Sequence, residues 1–378
     1  MKNMWKLLFI FVVLFFCLKN YAQQDTLKYN RLSGCSISYF NIGDSLENKY
    51  NYQEALKWYT KSYDLDSNLS SVRRIAQCFM KRGEYKQSKH YLNLIPLDSL
   101  THSDLRFKYN LYMKVSEIDS AFILGKEILN KYPYDGDILS SLASNYNKNE
   151  MPDSALYLIN NYRLNDSTNI FVNRQLAFSY YLKKEYSKAL KEYNNLLSLN
   201  DASVQTYYYL GLCYAELDSL NQAYDNLYIA NEKEKDNPYI LSQLGLVSIK
   251  VGFKDDGVKY IQDAISLYMP DNNLLFGLYD AISDAYFSRR KYYDCIENLK
   301  KCIELNPSYL YTYYKIAQTY GLAKNLKNEK KYYTEFLKKA KEANEISKTM
   351  NLFIDEAERR LKYIKEDEFF KNGIPNER

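Results

Sequence analysis

The chain has 378 residues, enough for two or three ordinary domains, with 51 basic against 46 acidic residues and a formal net charge of +5. Removing Lys2, Lys6 and Lys19 with an expected targeting segment leaves 48 against 46, net +2, which is no electrostatic footprint for nucleic acid. The composition also holds 41 tyrosines, only 12 glycines, 7 prolines and 2 histidines, with a matching excess of Asn, Lys and Ile.

Met1 to Ala22 reads as a cleavable secretory signal: Lys2 and Lys6 precede the apolar run Leu7 to Leu18, and Lys19-Asn20 leads to Ala22 before Gln23-Gln24. The run is too short to span a bilayer comfortably, and no later stretch reaches that length, so no membrane insertion of the mature chain is expected. The expected location is periplasmic or secreted. A lipoprotein signal modified at Cys17 is the alternative, with bulky Phe16 before the cysteine.

Residues 23–35 form a polar lead-in, and helical periodicity starts at about Ser36. The first unit, to Asn68, carries Gly43, Leu46, Ala55 and Tyr59, and the second, from Leu69, carries Ala76, Phe79, Gly83, Tyr85 and Ser88. Five copies of a 34-residue unit then follow without insertion, starting at His102, Gly136, Ile170, Val204 and Pro238. Position twenty of each is small: Ala121, Ala155, Ala189, Ala223 and Gly257. Position eight gives Tyr109, Ala143, Ala177, Gly211 and Gly245, and position eleven gives Tyr112, Tyr146, Tyr180, Tyr214 and Ser248. Within one unit Val172, Leu176 and Tyr180 share a helical face. After the polar break Lys183-Lys184-Glu185, Tyr186, Ala189, Leu190, Tyr193 and Leu197 share another. Each unit therefore predicts two amphipathic helices whose backbones approach at positions eight and twenty.

A longer turn at Pro270 to Asn273 precedes an eighth unit from Phe276, with Ser283, Tyr286, Cys295, Leu299, Cys302 and Pro307 in the same columns. A ninth, from Leu310, has Ala317, Tyr320 and Tyr333, but Glu329 stands where the small residue belongs, which makes its second helix the weakest expectation. Leu352, Phe353, Ala357, Leu361 and Ile364 then line one face of a helix charged on the other, as a terminal cap requires. The predicted fold is all-α: a right-handed α-solenoid of about nine helix-turn-helix repeats over 36–345, a capping helix over 346–368 and a frayed tail over 369–378. A single continuous, elongated core is expected.

These columns resemble the tetratricopeptide repeat family, whose pattern has a large residue and Gly or Ala near seven and eight, Tyr at eleven, Ala at twenty and Pro at thirty-two. The resemblance covers most of the chain from Ile37 to Ala340 and implies an extended concave surface lined by positions two, five, nine, twelve and thirteen. On those positions the candidate partner-binding residues are Arg106 and Asn110 in one repeat, then Phe171, Arg174, Phe178, Tyr181 and Tyr208. Aromatic and arginine side chains are the usual anchors of a peptide interface. Arg106 and Asn110 also fall where carboxylate-clamp members hold a peptide C-terminus, although Ser141 and Ser144 follow where such clamps carry further amide or basic groups.

Chemistry of other kinds is not legible. His90 and His102 lie outside metal-ligand spacing, no Gly-x-Gly occurs, and Gly252 to Lys259 has phosphate-loop glycine spacing without the adjoining Lys-Ser/Thr. No cofactor, no metal and no enzyme activity are expected. Cys295 and Cys302 fall in core columns, Cys78 and Cys213 share a position in distant repeats, and Cys35 is the one candidate for intermolecular chemistry. The expected function is a non-enzymatic scaffold of the cell envelope that holds a peptide or protein in its groove. The alternative is a carbohydrate-binding module using surface tyrosines.

Overall fold

The computed structural model describes residues 33–267, 271–343 and 345–372; the expected signal, Cys17 and most of the lead-in lie outside them. Among the described residues there are nineteen α-helices, one short 3-10 turn at Leu97–Ser99 and no strand. They alternate as first and second helices of successive hairpins. The first hairpins are α1 (residues 33–47) with α2 (Tyr52–Asp66), α3 (Leu69–Lys81) with α4 (Tyr85–Leu92), and α5 (His102–Lys114) with α6 (Ile118–Lys131). Then come α7 (Gly136–Lys148), α8 (Pro152–Arg163), α9 (Ile170–Leu182), α10 (Tyr186–Ser198), α11 (Val204–Glu216), α12 (Leu220–Lys233), α13 (Pro238–Val251) and α14 (Lys254–Leu267). The series ends with α15 (Asn272–Ser288), α16 (Tyr292–Leu305), α17 (Leu310–Leu322), α18 (Leu326–Glu342) and α19 (Lys348–Asn372).

The five unit starts read from the sequence are the first residues of α5, α7, α9, α11 and α13. Local chemistry fixes them there. Asn68, Thr101, Asn169, Ser203, Asn237 and Asp271 each cap the following helix by accepting from a backbone N–H of its first turn. The turn inside each hairpin is equally uniform. Its residue is left-handed at Tyr50, Gly83, Ser116, Glu150, Lys184, Asp218, Gly252, Arg290 and Lys324, the fifteenth position every time. The next N–H reaches back to the eleventh carbonyl, as from Glu117 to Tyr112, Glu185 to Tyr180, Ser219 to Tyr214 and Lys291 to Tyr286, at 2.9 to 3.0 Å. This is a helix C-terminal motif closing on itself, and only two of the nine turns use the glycine that makes it free of strain.

Positions eight and twenty meet as expected. A Cβ built on Gly245 would stand 2.8 Å from the Gly257 carbonyl oxygen and 2.6 Å from Ile261 Cγ1, so the two backbones touch. Where a large residue enters one column, a glycine elsewhere accommodates it. Tyr109 occupies the eighth position with Gly125 opposite, whose added Cβ would come within 3.0 Å of the tyrosine ring. Glu329 occupies the twentieth position opposite Gly321, and helix α18 forms in full around it.

Burial is local. One cluster joins Ala177, Ala189, Tyr193, Leu196, Leu210 and Cys213, the next joins Ala223, Leu227, Leu244 and Val247, and each spans only neighbouring hairpins. Each fully buried large side chain contributes about 1.5–3 kcal/mol. The described residues group into two compact units, 33–146 with 157–166 and 147–156 with 167–372. In the second unit the first helices α9, α11, α13 and α15 lie side by side.

Two boundaries differ from the sequence reading. Helix α1 already includes residues 33–35, and α19 runs to Asn372 across residues assigned to a frayed tail. The cap α19 packs Phe353, Ala357 and Leu361 on Tyr314, Tyr333 and Phe336. It is also held by the nearly buried Glu329 carboxylate, which accepts from Arg360 Nε at 2.6 Å. The residue that breaks the small-residue column is the one that ties down the cap.

Two glycines give opposite expectations. Gly245→Ala should destabilise by about 1–3 kcal/mol through overpacking of the hairpin. Gly277→Ala, on an exposed stretch of α15 with nothing within 4 Å of its added Cβ, should stabilise by about 0.5–1 kcal/mol. Denaturant unfolding of the two variants checks the signs, and equal effects would refute the close backbone contact.

Candidate functional site

The candidate residues divide between the two units. In the first, Asn110 is exposed, and Arg106 pairs with Asp137 and lies 3.6 Å from Asp135. Asp135 is almost fully buried and also meets His102 Nε2 at 2.8 Å and the Ile138 backbone N–H. Arg73 treats Asp104 in the same way at 2.9 Å.

In the second unit Arg174 forks onto Asp201, donating from Nε to Oδ2 at 2.7 Å and from Nη2 to Oδ1 at 2.5 Å, while Thr206 Oγ1 donates to Asp201 at 2.9 Å. The hydrogen bonds that Arg174 donates to Asp201 raise the Arg174 pKa. Burial pushes the Asp201 carboxyl up, but the bonds from Arg174 and Thr206 outweigh it and hold the carboxyl below its ordinary value. Fifth-position arginines therefore reach the loop that leads into the next hairpin, where a carboxylate awaits them. Arg106 and Arg174 staple neighbouring hairpins, a role the sequence columns do not distinguish from ligand binding.

The aromatic candidates do come together, around a residue the columns missed. Tyr209 on α11 lies 5.1 Å from Phe178 and from Tyr181, 5.3 Å from Tyr208 and 5.7 Å from Tyr193 in parallel stack. Phe178 and Tyr181 are 6.3 Å apart and nearly parallel. Burial, with Tyr208 and Glu216 nearby, raises the Tyr181 pKa, and burial pushes Tyr208 up to about 12. These phenols stay neutral donors at physiological pH. The Tyr193 hydroxyl, fully buried beneath Tyr209, has no hydrogen-bond partner. Phe171 is 58% exposed, with the Arg174 guanidinium 5.7 Å from its ring centre.

Beside this cluster lies an open groove of about 680 Å³, lined by Arg174 from α9, Gln205, Tyr208 and Tyr209 from α11, and Tyr239 and Ile240 from α13. Glu234 and Asn237 close one side, with Asn237 Nδ2 donating to Glu234 at 2.9 Å. Tyr239 is 55% exposed. The sequence signal for this groove was the run Tyr207-Tyr208-Tyr209, of which the column rule selects only the middle residue.

The remaining polar groups are engaged in structure. Lys315 is largely buried between Asp280 and Asp284 at 2.8 and 2.7 Å; burial alone lowers its pKa, and the two carboxylates reverse that. Burial pushes Cys78, Cys213 and Cys302 up to about 12 and Cys295 to about 11, so these thiols are protonated and unreactive, while Cys35 is exposed. Among the described residues no group of three or more His, Cys, Asp or Glu is disposed to hold a metal, and no helix is long and apolar enough to cross a membrane.

An all-α array of helix hairpins with a fixed 34-residue frame and an aromatic groove on its first helices is the class these features define. A family model described as tetratricopeptide repeat matches residues 37–69 and 276–309. The fold is similar to the C-terminal part of a tetratricopeptide-repeat protein from Cytophaga hutchinsonii, at 17% identity, covering 71% of this chain and 95% of that one, with a TM-score of 0.46. It is also similar to YrrB, described as having an unusual peptide-binding site, at 15% identity, 50% and 95% coverage and a TM-score of 0.44. A third similar structure is MamA, at 20% identity, 47% and 96% coverage and a TM-score of 0.42. No curated protein matches the chain.

Asp201→Ala should destabilise the protein by about 2–3 kcal/mol at neutral pH, because it leaves Arg174 without its partner. The wild-type contribution belongs to a carboxyl whose folded-state pKa is lowered. It is complete above the ordinary carboxylate value of about 4 and is lost as pH falls through the folded-state value. Unfolding curves of both proteins from pH 7 to pH 2 should therefore converge at the acid end.

Proposed function

We propose that this protein is a non-enzymatic interaction scaffold whose second unit holds an extended segment of a partner in the groove along α9, α11 and α13. The observation that carries the reading is that successive first helices present Tyr208, Tyr209 and Tyr239 to one open groove of about 680 Å³. Tyrosines supply large contact area at low conformational cost, and a half-buried ring is already ordered before binding. Arg174 and Phe178 act in this reading as the frame of the groove: Arg174 fixes the loop carrying Asp201, and Phe178 supports Tyr209. Asn110 and Arg106 belong to a lesser surface of the first unit. That YrrB is described as having a peptide-binding site agrees with the class of ligand.

A photo-crosslinking residue placed at Gln205, which is exposed and lines the groove, should form adducts with a partner from native extract. The same residue at Lys188, 65% exposed on α10, should not. Adducts at both positions or only at Lys188 would move the interface off the groove.

The scaffold is proposed to work outside the cytoplasm, in the periplasm or as a secreted protein, on the strength of Lys2, Lys6, the run Leu7 to Leu18 and Ala22. Mass spectrometry of the chain from its own cells should find a mature N-terminus at Gln23. A lipidated Cys17 would make it an anchored protein instead, and an intact Met1 would withdraw the proposal.

A further inference from the structure

We propose that the partner segment is basic and that it places a lysine or arginine side chain against the ring cluster of Phe178, Tyr181, Tyr208 and Tyr209, with Glu216 and Glu234 as counter-charges; this rests on the groove reading above. Two independent features of the second unit lead to it.

The first is how the chain treats its other aromatic rings. Its own cations lie over many of them: Lys188 is 5.5 Å from the Tyr180 ring centre, Lys233 is 5.5 Å from Tyr207, Lys301 is 4.9 Å from Tyr279 and Lys339 is 5.0 Å from Tyr313. Tyr180 and Tyr207 are the immediate neighbours of Tyr181 and Tyr208. Among the described residues no lysine or arginine lies over Phe178, Tyr181, Tyr208 or Tyr209, although these four are grouped with ring centres 5.1 to 6.3 Å apart. An aromatic ring face attracts a cation through its quadrupole, most strongly where water is partly excluded.

The second is charge. The one cation that lines the groove, Arg174, is neutralised by its fork onto Asp201. Two exposed carboxylates stand near the rings without a cation. Glu216 acts electrostatically on the Tyr181 and Tyr186 hydroxyls, and Glu234 lines the groove with the neutral Asn237 donating to it. Among the described residues neither carboxylate makes an ion pair, so both stand available beside electron-rich rings. That combination favours a cationic side chain over an apolar one, and a basic segment over an acidic one.

The test uses the purified full chain and fluorescence anisotropy with labelled twelve-residue peptides of Ala, Ser and Gly. Each carries Lys, Arg, trimethyllysine, Leu or Glu at the same three places. Lys, Arg and trimethyllysine peptides should bind and the Glu peptide should not, with the Leu peptide at least about tenfold weaker than Lys. Tyr208→Leu, and separately the pair Glu216→Gln with Glu234→Gln, should each weaken the Lys peptide about five- to tenfold. Glu127→Gln, the same charge change on exposed α6, should leave it unchanged. The carboxamide variants keep the side-chain shape, so loss of folding in Tyr208→Leu does not decide the matter. Leu peptides binding as well as Lys peptides, with both lost in Tyr208→Leu, would overturn the cationic specificity and keep the peptide groove. Lys-peptide binding indifferent to all these variants would place basic recognition elsewhere. No binding by any peptide, together with glycan-array retention that depends on Tyr208, would overturn this proposal and the groove reading alike.

Discussion

The contact on which the structure depends is the touching of two helix backbones at positions eight and twenty of each hairpin. At Gly245 and Gly257 there is no room for a methyl group between them. An approach this close fixes which faces of the two helices remain outside, and those faces bury themselves on the next hairpin. The columns of small residues are thus the cause of the array, and the tyrosines and leucines around them follow as what fills the remaining grooves.

The column is a constraint on summed volume, so it tolerates exchange. Tyr109 with Gly125 and Glu329 with Gly321 each keep the two helices together while moving bulk from one strip to another. The second exchange does more than preserve packing. A carboxylate so nearly buried needs a charged donor, and Arg360 of the cap is that donor, so the last hairpin and the cap recognise each other through a residue that violates the pattern. The left-handed fifteenth residue tells the same story in the backbone. Tyr50, Ser116, Lys184 and Arg290 accept a conformation that costs an ordinary residue roughly 1–2 kcal/mol, because the reverse hydrogen bond to position eleven and the hairpin contact over-determine the turn.

Periodicity made the helices legible from sequence, down to the first residues of α5, α7, α9, α11 and α13, because a buried stripe repeats whatever fills it. The turn geometry was legible only at Gly83 and Gly252, since the other seven positions use residues with no preference for it. Of the residues the columns grouped at the site, Phe171, Arg174, Phe178, Tyr181 and Tyr208, the structure gathers Phe178, Tyr181 and Tyr208 around Tyr209. What they could not separate was a side chain facing a ligand from one facing a neighbouring loop. Arg106 and Arg174 stand at a groove position, yet Asp135 and Asp201, some thirty residues further on, capture them, and a pairing over that span leaves no trace in a single-repeat pattern. Tyr209 was missed for the opposite reason: its column reads as core, and it is core on the side that stacks on Tyr193 and surface on the side that lines the groove.

That double duty limits how recognition and stability can vary. Tyr239 and Glu234 are exposed at the rim, so a nearest-neighbour array can exchange them without losing a hairpin. Tyr209, Arg174 and Asp201 each belong to the packing between two hairpins as well as to the groove. Substitutions there change the shape of the groove and the coupling of adjacent repeats together, and they are felt first by whatever the groove holds. If the groove holds a partner segment as proposed, specificity can diverge at the rim while the floor stays fixed.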